Sequence, residues 1–300
     1  MSIIGEVAAT LTAFCWTISA IVFTTSSKEI GSQVVNRIRV VVAFVLLFLV
    51  NWIFLGQPIP IHASGEHWLW LLLSGVVGLA IGDTFLFKTY QLIGARLGLL
   101  LLSLAPVFSI LIAWIFMGEI LTTRQVFGVI LTLAGVSWVV ITRPKNGDEV
   151  ENPHHVARGI FFGVLAALCQ GTGLVLSSKG MGNGFPPLAG TLMRMIAAFV
   201  ILWVIAIFEK KAIPTIKAAI DHPRAFRWVA VGAVFGPVIG IAFSLLAVQH
   251  AKIGISSTLM ALPPVFIIPV SYFVFKERLG WQTLCGTILS IAGVAVLFLK

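Results

Sequence analysis

The side chains with the strongest chemical demands lie in an apolar setting. Of the eleven acidic residues, Asp83 alone falls well inside a long apolar run, while Glu119 and Glu277 sit at the ends of such runs and the others in connecting segments or near a terminus. A carboxylate at the centre of a membrane helix costs roughly 2.5–3.5 kcal/mol on insertion scales, so Asp83 needs a partner or a wet cavity. Arg37 and Arg39 enter the second apolar run from the face toward which Asp83 is displaced in the third, so an ion pair with either is geometrically open. Asp83 is therefore read as a structural pair, as a group that handles solute or protons, or as a residue remote from lipid at the surface. Lys88 lies five residues further on, about 140° around an ideal helix, and suits snorkelling to the interface. Arg194, eight residues into the seventh apolar run, has no acidic neighbour in its own half. It either holds a carboxylate of a solute or contacts a helix end or a lipid phosphate.

A second set of residues could shape a path rather than carry charge. Gly78, Gly82, Gly236, Pro237 and Gly240 cluster in the third and eighth runs, where small residues allow close helix approach and proline loosens the backbone ladder. They serve a moving helix or static packing. Pro106, Pro263 and Pro264 kink the fourth and ninth runs, and the carbonyls they free could line a cavity. Trp16 in the first run corresponds to Gln170 in the sixth; a tryptophan there stacks on a planar ligand or simply packs. Tyr90, Gln91, Ser103, Ser244, Gln249, Ser257 and Thr258 are polar enough to border such a path.

These residues are positioned by helices in a bilayer. The chain is 59% hydrophobic and 10% charged over 300 residues, whereas a soluble domain carries roughly 25% charged residues. Apolar runs of about 20 residues, enough to span a membrane, recur near 4–26, 34–55, 68–90, 95–117, 125–142, 159–178, 187–208, 227–249, 253–275 and 279–299. Residues 143–158, from Arg143 to Arg158, form a polar linker with Pro144, Asn146, Gly147, Asp148, Glu149, Glu151, Pro153 and two histidines, dividing 1–142 from 159–300. The expected fold is all-α, with ten transmembrane helices in two units of five. The net charge of +9 forms no patch, so topology explains it better than nucleic acid does. Cys15, Cys169 and Cys285 all lie in apolar runs without a C-x-x-C pair, and neither a disulfide framework nor a metal site is indicated. Glu6, with no basic stretch before the first run, argues against a cleaved signal peptide.

The halves repeat. Pro106-Val107-Phe108 matches Pro264-Val265-Phe266, Glu119 matches Glu277, and Gly128 with Ala134-Gly135-Val136 matches Gly286 with Ala292-Gly293-Val294, all 158 residues apart. Gly82 and Gly240 keep that offset, as do Gln91 and Gln249, and Ala13-Phe14-Cys15 answers Ala167-Leu168-Cys169 more weakly. Because five is odd, the second unit enters the membrane from the opposite face, so the repeats are inverted. That architecture places a site near the midplane of many secondary transporters.

The stretches Ile81-Gly82-Asp83-Thr84, Pro106-Val107-Phe108 with Gly118-Glu119, Pro263-Pro264-Val265-Phe266 with Lys276-Glu277, and the two Ala-Gly-Val endings resemble the drug/metabolite transporter superfamily and, within it, the EamA-type exporters. The resemblance covers the whole chain. It implies ten spans, two EamA units and a central cavity that carries amino acids, metabolites or drugs, often outward.

The expectation is thus a secondary exporter of small organic solutes at the cell inner membrane, using alternating access, with protons as a candidate coupling ion and no cofactor. The rivals are a membrane-embedded enzyme and a passive channel. Ala80-Ile81-Gly82-Asp83 misses the presenilin-like G-x-G-D, and no second intramembrane aspartate supplies the shared proton of an aspartyl dyad. Neither a P-loop nor H-E-x-x-H occurs. Basic residues concentrate on the side of the odd-numbered loops, which the positive-inside rule places in the cytoplasm, with both termini outside.

Overall fold

The computed structural model describes residues 3–117, 122–141, 153–250, 256, 259–273 and 280–298. Glu119, Glu277, Ser257, Thr258 and most of the polar linker lie outside them. The helices are α1 (Ile3–Ile30), α2 (Ser32–Leu55), α3 (Gly65–Ser74), π1 (Gly75–Gly82), α4 (Asp83–Leu102), α5 (Ala105–Met117), α6 (Thr123–Ile141), α7 (Pro153–Gly180), α8 (Pro187–Phe208), α9 (Ala212–Asp221), α10 (Pro223–Ala233), π2 (Val234–Gly240), α11 (Ile241–His250), α12 (Pro263–Phe273) and α13 (Trp281–Phe298). Among the described residues, six helical stretches are long and apolar enough to cross a membrane, and shorter apolar helices accompany them. The bundle has the inside-out character lipid demands: Ile53, Phe54 and Phe208 are largely exposed, while Arg39, Asp83 and Arg194 are buried.

Apart from α9, the described helices group into ten crossings. The third is α3, π1 and the first half of α4; Gly94, at φ 80° and ψ 170°, then turns the chain, a conformation open to glycine but strained for other residues. The rest of α4 and α5 form the fourth crossing, interrupted at Ser103 and Leu104. The eighth is α10, π2 and α11. In the ninth, a break at Ala261 and Leu262 precedes α12, 158 residues after the break in the fourth.

Both π segments and both breaks therefore occupy matching places in the two halves, and so do the helix contacts. A Cβ on Gly135 in α6 would run into the backbone of Ser290 and Gly286 in α13; one on Gly293 in α13 would run into Thr132 in α6. Shifting each partner by 158 converts one contact into the other. Gly78 meets Gly173 of α7, and its counterpart Gly236 meets Ser19 of α1. The halves are thus related by a pseudo-two-fold axis, and five crossings each make them inverted. Pairing is across halves: α2 packs on α8, α6 on α13, α1 on α10 to α11, and α7 on α3 to α5. Lipid supplies no hydrophobic drive for helix association, so such seams rely on small residues and tight packing.

One element falls between the apolar runs at 187–208 and 227–249, where hydropathy marks no span. There α9 exposes Ile213, Ile216 and Ile220 while Thr215 is buried. The three isoleucines share one face at helical spacing, with Lys210, Lys211 and Lys217 nearby. This is the pattern of a helix lying in the membrane interface. Its ten residues and its Pro214 conceal it from a search for spans.

Gly135→Val or Gly293→Val is expected to lose about 1–3 kcal/mol of stability by overpacking the α6–α13 seam. Gly65→Val, with open space around the site, serves as the control. Melting curves that do not separate the seam variants from the control would contradict the close approach.

Candidate functional site: a cavity between the repeats

A cavity of about 120 Å³ lies between the halves and is lined by residues of both. Its wall is mainly apolar, with Trp16, Phe23, Leu79, Phe87, Leu174 and Ile241 contributing. Its polar groups are few: Arg39, Asp83, Gln170 and Arg194, with Ser19, Ser103, Ser244 and Tyr90. An apolar enclosure with a handful of convergent polar groups is the usual form of a small-molecule site.

Asp83 begins α4, just after π1. Its Oδ2 pairs with Arg39 Nη2 at 2.8 Å, and its Oδ1 accepts a hydrogen bond from Gln170 Nε2 at 2.8 Å. The first contact joins two spans of one half; the second crosses to the other half. Arg39 is held in turn by Asn36, one turn earlier on α2, whose Oδ1 accepts from Arg39 Nε at 3.2 Å and Nη2 at 2.8 Å. Asn36 Nδ2 donates to Thr84 Oγ1 at 3.2 Å, and Thr84 donates to the Ala80 carbonyl at 2.6 Å. The guanidinium also lies 5.1 Å from the Phe87 ring centre, within reach of a cation–π interaction. This network satisfies an ion pair that would otherwise be expensive in a low-dielectric interior.

Arg37 does not join it. Two residues from Arg39, it points about 200° away around the helix and pairs with Glu209 at 2.8 Å, at the end of α8. The expectation that either arginine could meet Asp83 is thus narrowed to Arg39, and Arg37 is not among the residues lining the cavity. Arg194 borders the cavity, 5% exposed, yet no hydrogen bond or ion pair joins it to a described residue, and its Nε is buried without a partner.

Trp16 and Gln170 both line the cavity, as do Pro106, Gly236, Pro237 and Pro263. Gly78 sits against Arg194 Nη2 and Gly173, Gly82 against Cys169, and Gly240 against the Trp16 ring. Pro264 is buried but is not among the lining residues. Gln91 and Gln249 serve elsewhere: Gln91 accepts from Ser32 and Lys88, and Gln249 donates to the Phe185 carbonyl. Lys88 accordingly sits beside the turn between α1 and α2, as an interfacial lysine should. Asn36 and Thr84 were missing from the sequence-based candidates; a polar residue three before Arg39, on the same helix face, was the available signal.

Fold and cavity together define a multi-pass membrane protein whose two inverted halves enclose a solute-sized chamber. The chain matches the model of the EamA-like transporter family over residues 3–141 and 157–299, and it belongs to that family, within the drug/metabolite transporter superfamily. It is a membrane transporter. It is 23% identical over 272 residues to an uncharacterized transporter of Synechocystis sp., covering 86% of this chain and 79% of that protein. A protein of known crystal structure, 16% identical, superposes with a TM-score of 0.69 over 97% of this chain and 94% of its own, which supports the fold.

Removing one member of a buried ion pair is expected to lose about 3–5 kcal/mol, whereas replacing both by apolar residues is tolerated much better. Arg39→Met alone should therefore lower the melting temperature markedly, and Arg39→Met combined with Asp83→Leu should recover much of the loss. Additive losses in this double-mutant cycle would mean that the two side chains are not coupled.

Proposed function

We propose that the protein is a secondary exporter of small organic solutes, resident in the cell inner membrane with both termini outside. The observation that carries this reading is the matched irregularity of the two halves around one cavity: π1 answers π2, and the break at Ser103 and Leu104 answers that at Ala261 and Leu262. Irregular backbone at membrane depth persists where it is buried in protein or lines a chamber. Paired irregular spans around a midplane site are the usual substrate of alternating access. Rocking of one half against the other would bend the chain at Gly78, Gly82, Gly236, Pro237 and Gly240, and at the two breaks.

In this reading Asp83, Arg39 and Gln170 form a latch. Gln170 belongs to the second half and binds a carboxylate of the first, so relative movement of the halves must stretch that bond. A proton on Asp83 would remove its charge attraction to Arg39 and weaken the latch, which links solute movement to a pH gradient. Basic residues favour the stated orientation: Arg39 and Arg194 are buried in the bundle and have no vote, and the remaining cations keep the bias to the odd-numbered loops. Proteolysis on the presenilin pattern has no support here, because Asp83 is the sole buried carboxylate among the described residues.

Asp83→Asn, reconstituted in proteoliposomes, should lose most solute flux and its response to an imposed pH gradient, with the drop reaching at least tenfold. Flux and gradient dependence equal to those of the unmodified protein would remove Asp83 from the mechanism.

A further inference from the structure

We infer that Arg194 is the anion-binding subsite of the cavity, and that the solute is a small monoanionic organic acid, a carboxylate on an apolar body. This rests on the carrier reading above and specifies its substrate. Three charged side chains border the cavity: Arg39, Asp83 and Arg194. Arg39 and Asp83 neutralise each other at 2.8 Å. Arg194 remains, so the enclosure carries a net charge of one positive unit, and a guanidinium does not escape by losing its proton.

An isolated buried charge is heavily disfavoured; the buried Arg37, by contrast, has Glu209. The nearby carboxylate turns elsewhere: Asp83 Oδ2 pairs with Arg39 and Oδ1 accepts from Gln170, and no ion pair joins it to Arg194. The unpartnered Nε points to an acceptor that arrives with the solute. Close helix packing places the residue: a Cβ at Gly75 would collide with the Arg194 backbone, and one at Gly78 would come within 3.3 Å of Nη2. A planar fork positioned this way suits the two oxygens of a carboxylate. The α5 and α12 N-termini also meet the cavity, at Ala105, Pro106 and Pro263, and their dipoles favour negative charge.

The same inventory selects among anions. A monoanion brings the chamber to neutrality, whereas a phosphate dianion would overshoot. An ammonium group would need an acceptor of its own, and the one carboxylate in the cavity is already engaged, so a plain acid fits better than an amino acid. Trp16, Phe23, Leu79 and Phe87 then receive the apolar remainder.

Phenylacetate, phenylacetamide and phenethylamine test this, because they share a body and differ in charge. Binding to the purified full chain is measured by calorimetry beside acetate, propionate and butyrate. At least one carboxylate should bind, with phenylacetate at least tenfold tighter than its amide or amine; Arg194→Gln should abolish that preference and Arg194→Lys retain part of it. In the absence of ligand, Arg194→Gln should melt no lower than the parent, since it removes an unpaired charge. No carboxylate binding, equal affinity for phenylacetamide, an intact preference in Arg194→Gln, or a ligand-free Arg194→Gln that melts well below the parent would each overturn the inference. Proteoliposome flux separates the two readings: transport of neutral or cationic solutes unaffected by Arg194→Gln would defeat the anion site alone, while a protein that moves no solute of any charge would defeat the carrier.

Discussion

In a bilayer no water satisfies a stray N–H or C=O, so a membrane-spanning backbone stays α-helical except where protein or a chamber shelters it. The organisation of this protein follows from that constraint. Among the described residues, the departures from α-helix within the spans fall in π1, π2 and the two mid-span breaks, and all four border one cavity, through Leu79, Gly236, Ser103 and Ala261. Regular helices elsewhere form the wall that makes those departures tolerable.

Duplication explains why the irregularities come in pairs, and chemistry explains why the charges do not. Backbone and packing obey the pseudo-two-fold: Gly135 against Ser290 mirrors Gly293 against Thr132, and Gly78 against Gly173 mirrors Gly236 against Ser19. Asp83, however, is answered by Ile241, and Gln170 by Trp16. Under the alternating access proposed above, a symmetric frame with asymmetric side chains would let two conformations be related by the pseudo-two-fold in shape while one set of polar groups serves a single solute. The contact between Gln170 and Asp83 is where frame and chemistry meet, because it ties the halves through the only carboxylate buried among the described residues.

Much of this was legible in the residues. Hydropathy marks the spans because the bilayer sets their length, and the 158-residue recurrence exposes the duplication. Prolines and glycines at matched positions flag the irregular turns. Helix rotation was hidden: Arg37 and Arg39 look equivalent in sequence, yet two residues of offset send one to Glu209 and the other to Asp83. The bond from Gln170 to Asp83 crosses 87 residues of chain, and local pattern carries no trace of it beyond the correspondence with Trp16. The α9 helix escaped because its apolar face is a single stripe of three isoleucines, too short for a hydropathy window tuned to spans.

The opposite senses in which the two halves cross the membrane, around a shared chamber, are open to direct test. Single cysteines at Gln57 and Lys210, in matching connections of the two halves, test them most directly once Cys15, Cys169 and Cys285 are replaced by serine. An impermeant thiol reagent applied to intact cells should label Gln57→Cys and spare Lys210→Cys until the membrane is opened. Labelling of both positions from the same side would show parallel halves and contradict the account.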